Sequence, residues 1–89
     1  MKLIKISAMW CPSCLIMNSR FNEYLKDKNI EVIDYDYDID TLEIKKYNIG
    51  KVLPEIIVLD DNDIEIKRLI GEYSIKELNK QIGSILWKR

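Results

Sequence analysis

Apolar and polar positions divide the chain into alternating strand-like and helix-like segments. Residues 2–8 contain the short β-branched run Leu3-Ile4-Lys5-Ile6, which predicts a strand. From Pro12 the apolar period lengthens to that of a helix, with Cys14, Met17, Phe21, Tyr24 and Leu25 on one buried stripe. Pro12 suits the first helical turn, where its missing N–H costs no hydrogen bond. Residues 30–37 return to β character through Ile30, Val32, Ile33, Tyr35 and Tyr37. Asp40 and Glu43 have the spacing of a capping box ahead of Leu42, Ile44 and Tyr47. They predict a short helix over 40–48, ending near Asn48–Gly50. Ile56-Ile57-Val58-Leu59 is a continuous apolar run, the pattern of a strand covered on both faces. Asp60-Asp61-Asn62-Asp63 is a turn cluster, and 64–70 is the returning hairpin strand. Ser74 with Glu77 opens a last helix with Ile75, Leu78, Ile82, Ile85 and Leu86 on its apolar face. Trp87 is expected to pack against the sheet.

The predicted order is β-α-β-α-β-β-α. A βαβ unit supplies a parallel pair, and a hairpin closed by a helix follows it. This is an α/β fold with a four-stranded mixed sheet and helices on both faces, three layers in all. With 89 residues and no linker or repeat, the expectation is a single domain over 1–89.

Composition narrows the chemistry. Fourteen basic and 15 acidic side chains leave a net charge of -1, which argues against a nucleic-acid binder held by phosphate contacts. There is no His, so the commonest neutral-pH acid–base group and metal ligand is missing. Hydrolase sites built on Ser–His or Cys–His are thereby excluded. No run approaches the roughly 20 apolar residues of a membrane span. The start, MKLIKISAMW, lacks the apolar block of a signal peptide. The expected location is the cytoplasm, where two Cys point to catalysis or metal binding rather than to a structural staple.

Those two Cys lie in Trp10-Cys11-Pro12-Ser13-Cys14, where the first strand hands over to the first helix. Free N–H groups and the positive end of the helix dipole favour an anion at that point, and so a thiolate at Cys11. Cys14 lies near one turn further on, close enough to close a disulfide, and belongs to the buried stripe. The asymmetry assigns roles: Cys11 attacks a partner disulfide and Cys14 resolves the mixed disulfide.

The element order and this motif together resemble the thioredoxin superfamily, over essentially the whole chain. Three features carry the resemblance: W-C-P-S-C after the first strand, Val52-Leu53-Pro54 before the buried strand, and Gly71 between the hairpin and the last helix. The resemblance implies that Pro54 is a cis proline facing the cysteine pair. It implies too that Leu53 offers backbone groups to an extended substrate segment. Trp10, Leu53, Pro54 and Gly71, with Pro12 and Ser13 between the thiols, would line a shallow apolar groove. Thioredoxins bury an Asp six residues before the first Cys, near a Lys on the neighbouring strand. Here Lys5 holds the first position and Asp34 the second: either the two meet as an inverted pair across parallel strands, or both point to solvent at a strand edge. In the first case Asp34 could take the proton from Cys14.

At 89 residues the chain is similar in size to glutaredoxins and to short prokaryotic thioredoxins. Glutaredoxins carry Thr-Val-Pro and Gly-Gly where this chain has Val52-Leu53-Pro54 and Gly71-Glu72. The resemblance therefore leans to the thioredoxin type, with glutathione-dependent glutaredoxin chemistry as an alternative. It implies a monomeric dithiol–disulfide oxidoreductase with protein disulfides as substrates and a reductase or glutathione as electron donor. No organic cofactor, metal, membrane or nucleic-acid partner is implied. A second alternative is copper(I) transfer, because Met9-x-Cys11-x-x-Cys14 fits the M-x-C-x-x-C pattern of copper chaperones, and Cu(I) favours thiolates. That family, however, runs β-α-β-β-α-β. The acidic run from Asp34 to Asp40 does not make a calcium loop, since Ile39 and Lys45 stand where Gly and Glu are needed.

Overall fold

The computed structural model describes residues 1–87, with side-chain burial through Ile85. The packing expected of Leu86 and Trp87 lies outside the described residues. The elements are β1 (Lys2–Ser7), α1 (Pro12–Leu25), β2 (Glu31–Asp36), α2 (Thr41–Lys46), β3 (Glu55–Leu59), β4 (Glu65–Ile70) and α3 (Ile75–Trp87). The strands form one sheet in the order β2-β1-β3-β4. β1 runs parallel to β2 and antiparallel to β3, and β4 is antiparallel to β3. This is the order and the mixed four-stranded sheet that the hydrophobic pattern predicts, and it differs from the metallochaperone order.

Alternation along the strands builds two apolar layers. On one face Leu3, Ile56, Val58 and Leu69 meet Met17, Phe21 and Tyr24 of α1 and Leu78 and Ile82 of α3. On the other, Ile4, Ile6, Ile57 and Leu59 pack with both Cys, Leu53 and the half-buried Ile44 and Tyr47 at α2. Every residue of β3 is buried, as a central strand between two layers requires. Each fully buried Ile, Leu or Phe contributes about 1.5–3 kcal/mol, so these layers hold the fold together.

The helix ends behave differently. At α3 the Ser74–Glu77 capping box forms: Ser74 N–H donates to Glu77 Oε1 at 2.9 Å, and Glu77 N–H to Ser74 Oγ at 3.1 Å. At α2 the expected box is absent. Asp40 caps no N–H of its helix. Its Oδ2 instead accepts from Asp36 N–H at 2.7 Å, because the tight turn out of β2 brings that donor closer. α2 is correspondingly shorter than expected, and Leu42 faces solvent rather than the core.

Two junctions place the functional segments. The Leu53–Pro54 peptide is cis, as the resemblance implies. Pro54 C=O accepts from Gly71 N–H at 2.9 Å. Gly71 has φ +94°, a left-handed conformation that costs other residues energy. An added Cβ would meet nothing within 4 Å there, so the backbone angle, not crowding, calls for glycine.

Candidate functional site

Cys11 is the N-cap residue of α1, with an extended backbone (φ −101°, ψ 106°). Its Sγ accepts from Cys14 N–H at 3.2 Å, so the sulfur occupies the place an N-cap oxygen would take. The same thiol points at Leu53 C=O, 3.7 Å away. Pro12 at the first helical position keeps a helix end open there without losing a hydrogen bond. Both thiols are free, and exposure is 6% for Cys11 and 1% for Cys14. Burial alone therefore separates them little, and the distinction lies in their partners.

Burial pushes the Cys14 thiol up to about 11 from its usual 9.0, and the neighbouring Cys11 thiol adds to the rise. A backbone hydrogen bond at Ala8 works in the opposite direction. The folded chain thus holds this proton more tightly than the unfolded one. That contribution to stability is present below about pH 9 and is lost as pH rises through about 11.

The other residues expected to line a groove differ in exposure. Leu53 packs with the thiols, and both Leu53 and Pro54 are buried. Pro12 is exposed and Ser13 half-buried. The apolar surface at this end of the sheet comes from Met9 (88% exposed), Trp10, Val52 and Ile70. Of these, Met9, Trp10 and Val52 stand in the motifs read from the sequence, and Trp10 alone was expected to line the groove. The Trp10 indole N–H donates to Asp38 Oδ2 at 2.6 Å, and its ring meets Tyr37 edge-on at 6.3 Å. Asp38 thus anchors the residue beside Cys11 from 28 positions away, a role that the acidic run alone does not reveal.

Lys5 and Asp34 are opposite each other in the β1–β2 register, and Lys5 Nζ lies 3.2 Å from Asp34 Oδ1. The pairing is lopsided, because the Lys5 side chain is 9% exposed and that of Asp34 63%. Among the described residues neither forms a hydrogen bond with Cys14.

A second buried charge was invisible to pattern reading. Glu55, immediately after Pro54, is 2% exposed. Its Oε2 accepts from Arg68 Nη1 at 2.6 Å, and Arg68 also grips Glu65 through Nε at 2.9 Å and Nη2 at 2.7 Å. Arg68 draws Glu65 below its usual carboxylate range, chiefly through these hydrogen bonds. The network ties the first residue after the proline to β4. The only sequence signal is a Glu in front of an apolar run, and its partner becomes evident only from the β3–β4 register.

Comparison with known proteins agrees with this fold. The family described as Thioredoxin matches residues 1–84. No curated protein sequence matches the chain. Among solved structures, thioredoxin 1 from the thermophilic eubacterium Thermosipho africanus superimposes with a TM-score of 0.84 at 24% identity, covering 99% of this chain and 97% of that one. Thioredoxin-2 of the malaria parasite, a component of its protein secretion machinery, gives 0.80 at 25% identity over 92% of this chain and 80% of that one. A Schistosoma mansoni thioredoxin gives 0.79 at 23%, over 92% and 75%. By the family match over nearly its full length, and by a fold that fits it, the chain belongs to the thioredoxin family.

Proposed function

We propose that the chain is a dithiol–disulfide oxidoreductase that reduces disulfides of protein substrates through Cys11 and Cys14. The observation that carries the reading is two neighbouring thiols at a helix N-terminus, with Cys11 facing the Leu53 carbonyl before Pro54. Membership of a family whose members are generally disulfide oxidoreductases supports it.

In the first step the Cys11 thiolate attacks one sulfur of the substrate disulfide. A mixed disulfide forms, and the other substrate sulfur leaves as a thiolate that takes up a proton. In the second step Cys14 gives up its proton and attacks Cys11 Sγ. The second substrate sulfur leaves as a thiolate and takes up a proton; over the two steps the substrate disulfide gains the two electrons that the cysteine pair loses on closing its own disulfide. A separate reductase, or glutathione, then restores the dithiol. Leu53 offers backbone hydrogen bonds to an extended substrate segment, with Trp10, Pro12, Ser13, Pro54 and Gly71 around it.

Because the Cys14 thiol is raised to about 11, the second step needs a proton acceptor at neutral pH. Asp34, held by Lys5, is the acceptor this reading assigns. In stopped-flow measurements Asp34→Asn should slow resolution near pH 7 and converge on the parent rate as pH approaches 11. An unchanged rate at pH 7 removes the assignment.

The overall reading is tested by equilibrating the protein against a glutathione redox series and following the fraction oxidised. The expected result is a single two-electron transition to an intramolecular disulfide, with a potential near about −270 mV for a reductant. Accumulation of a glutathione adduct in place of that disulfide would favour the glutaredoxin alternative.

A further inference from the structure

Among the described residues the sheet stops at β2, which pairs with β1. Main-chain groups alternate sides along a strand. Tyr37 N–H bonds to Ser7 C=O at 2.8 Å on the β1 side. Asp36 N–H, on the outer side, is taken by Asp40 at 2.7 Å. By the same alternation the N–H and C=O groups of Val32 and Asp34 face outward, with no strand beside them.

Beside this edge α1 overhangs the sheet and leaves two adjoining hollows that share Lys5, Asn22 and Asp34. One, of about 270 Å³, has Phe21, Leu25 and Val32 in its wall. The other, of about 490 Å³, is polar, with Asn18, Asp36 and Asp40 in its wall. In the polar hollow three carboxylates face one ammonium, and that ammonium is engaged by Asp34. Asn18 Oδ1 is buried there and has no hydrogen-bond donor among the described residues. A buried acceptor left in that state costs about 1–3 kcal/mol, so the hollow favours a ligand that brings both a donor and a positive charge.

We propose that β2 is a docking edge for an extended segment of a partner protein that carries an aliphatic residue and a Lys or Arg two positions apart. Residues so spaced share one face of a strand and stand about 7 Å apart. The segment adds as a fifth strand through Val32 and Asp34. Its aliphatic side chain fills the hollow at Phe21 and Leu25. Its cation enters the polar hollow, donates to Asn18 Oδ1 and meets Asp36 and Asp40. A second copy of this chain is a poor occupant: β2 against β2 would bring Glu31, Asp34 and Asp36 against like charges.

The test is an NMR titration of the ¹⁵N-labelled full chain with the cysteine-free peptide Thr-Val-Thr-Leu-Thr-Lys-Thr, and with the same peptide bearing Glu for Lys. Because neither peptide contains sulfur, the result is independent of disulfide exchange. The expected result is saturable shifts and slowed amide exchange at Val32 and Asp34, a shift of the Asn18 side-chain amide, and binding about tenfold weaker for the Glu peptide. Val32→Pro should abolish binding by removing an outward N–H while leaving the β1 ladder intact. Should that variant fail to fold, Asn18→Ala should lower affinity for the Lys peptide toward that of the Glu peptide. The proposal is overturned by silence at β2, by equal binding of the two peptides, or by shifts centred on Trp10 and Gly71. Concentration-dependent shifts at β2 without peptide would overturn it in favour of self-association.

Discussion

Arg68→Met is expected to destabilise the chain by about 3–5 kcal/mol, the range for removing one partner of a buried ion pair. Glu55 is 2% exposed, and Arg68 Nη1 at 2.6 Å is its cation. Without that guanidinium the carboxylate must remain charged in an apolar layer, take up a proton, or drag the start of β3 toward water. A domain of this size has roughly 4–13 kcal/mol in total, so the loss is a large share of its stability. Urea unfolding should show a lower midpoint with little change in slope. Glu55→Leu introduced on top of Arg68→Met should recover most of the loss, because it removes the stranded charge. A loss below about 1 kcal/mol would mean that the pair behaves as a solvent-exposed one.

The second large effect is on activity. Cys11→Ala should leave no measurable reduction of a protein disulfide, since no other sulfur is placed at the helix end beside Leu53. Cys14 cannot take over, because its thiol is pushed up to about 11 and is mostly protonated near neutral pH. Cys14→Ala removes a different step. Attack by Cys11 remains, and the reaction stops at the mixed disulfide. The two single variants are thus distinguished by where the reaction halts as well as by loss of turnover.

How far the sequence could be read depended on the range of each interaction. The stripe of Cys14, Met17, Phe21 and Tyr24 is a local consequence of helical period, and all four are buried as expected. The run from Ile56 to Leu59 is buried throughout for the same kind of reason. The Cys11-Pro12-Ser13-Cys14 segment combines strand end, helix start and thiol spacing within a few residues, so its geometry is local too. The Lys5–Asp34 pair has no local signal beyond the family resemblance, and strand register brings its members to 3.2 Å.

What escaped depends on contacts made across the fold. Glu55 reads as a polar boundary until β3 and β4 are in register, with an irregularity at Val58–Leu59 shifting the pairing. Only then does Arg68 reach it. Asp38 reads as one acid among several until the end of β2 brings it to the Trp10 indole. Asp40 has the spacing of a helix cap, yet a competing N–H at Asp36 takes its carboxylate. Leu42 has helical spacing as well, but α2 is too short to turn it inward. In each case local spacing was correct and a neighbour in space decided the outcome.

The most direct measurement is the intact mass of Cys14→Ala after reaction with two peptides joined by one disulfide, followed by proteolytic mapping of the adduct. The account predicts a stable adduct of one of the two peptides, joined through Cys11. Absence of an adduct, under conditions in which the unaltered chain reduces the joined peptides, would contradict the assignment of Cys11 as the attacking sulfur.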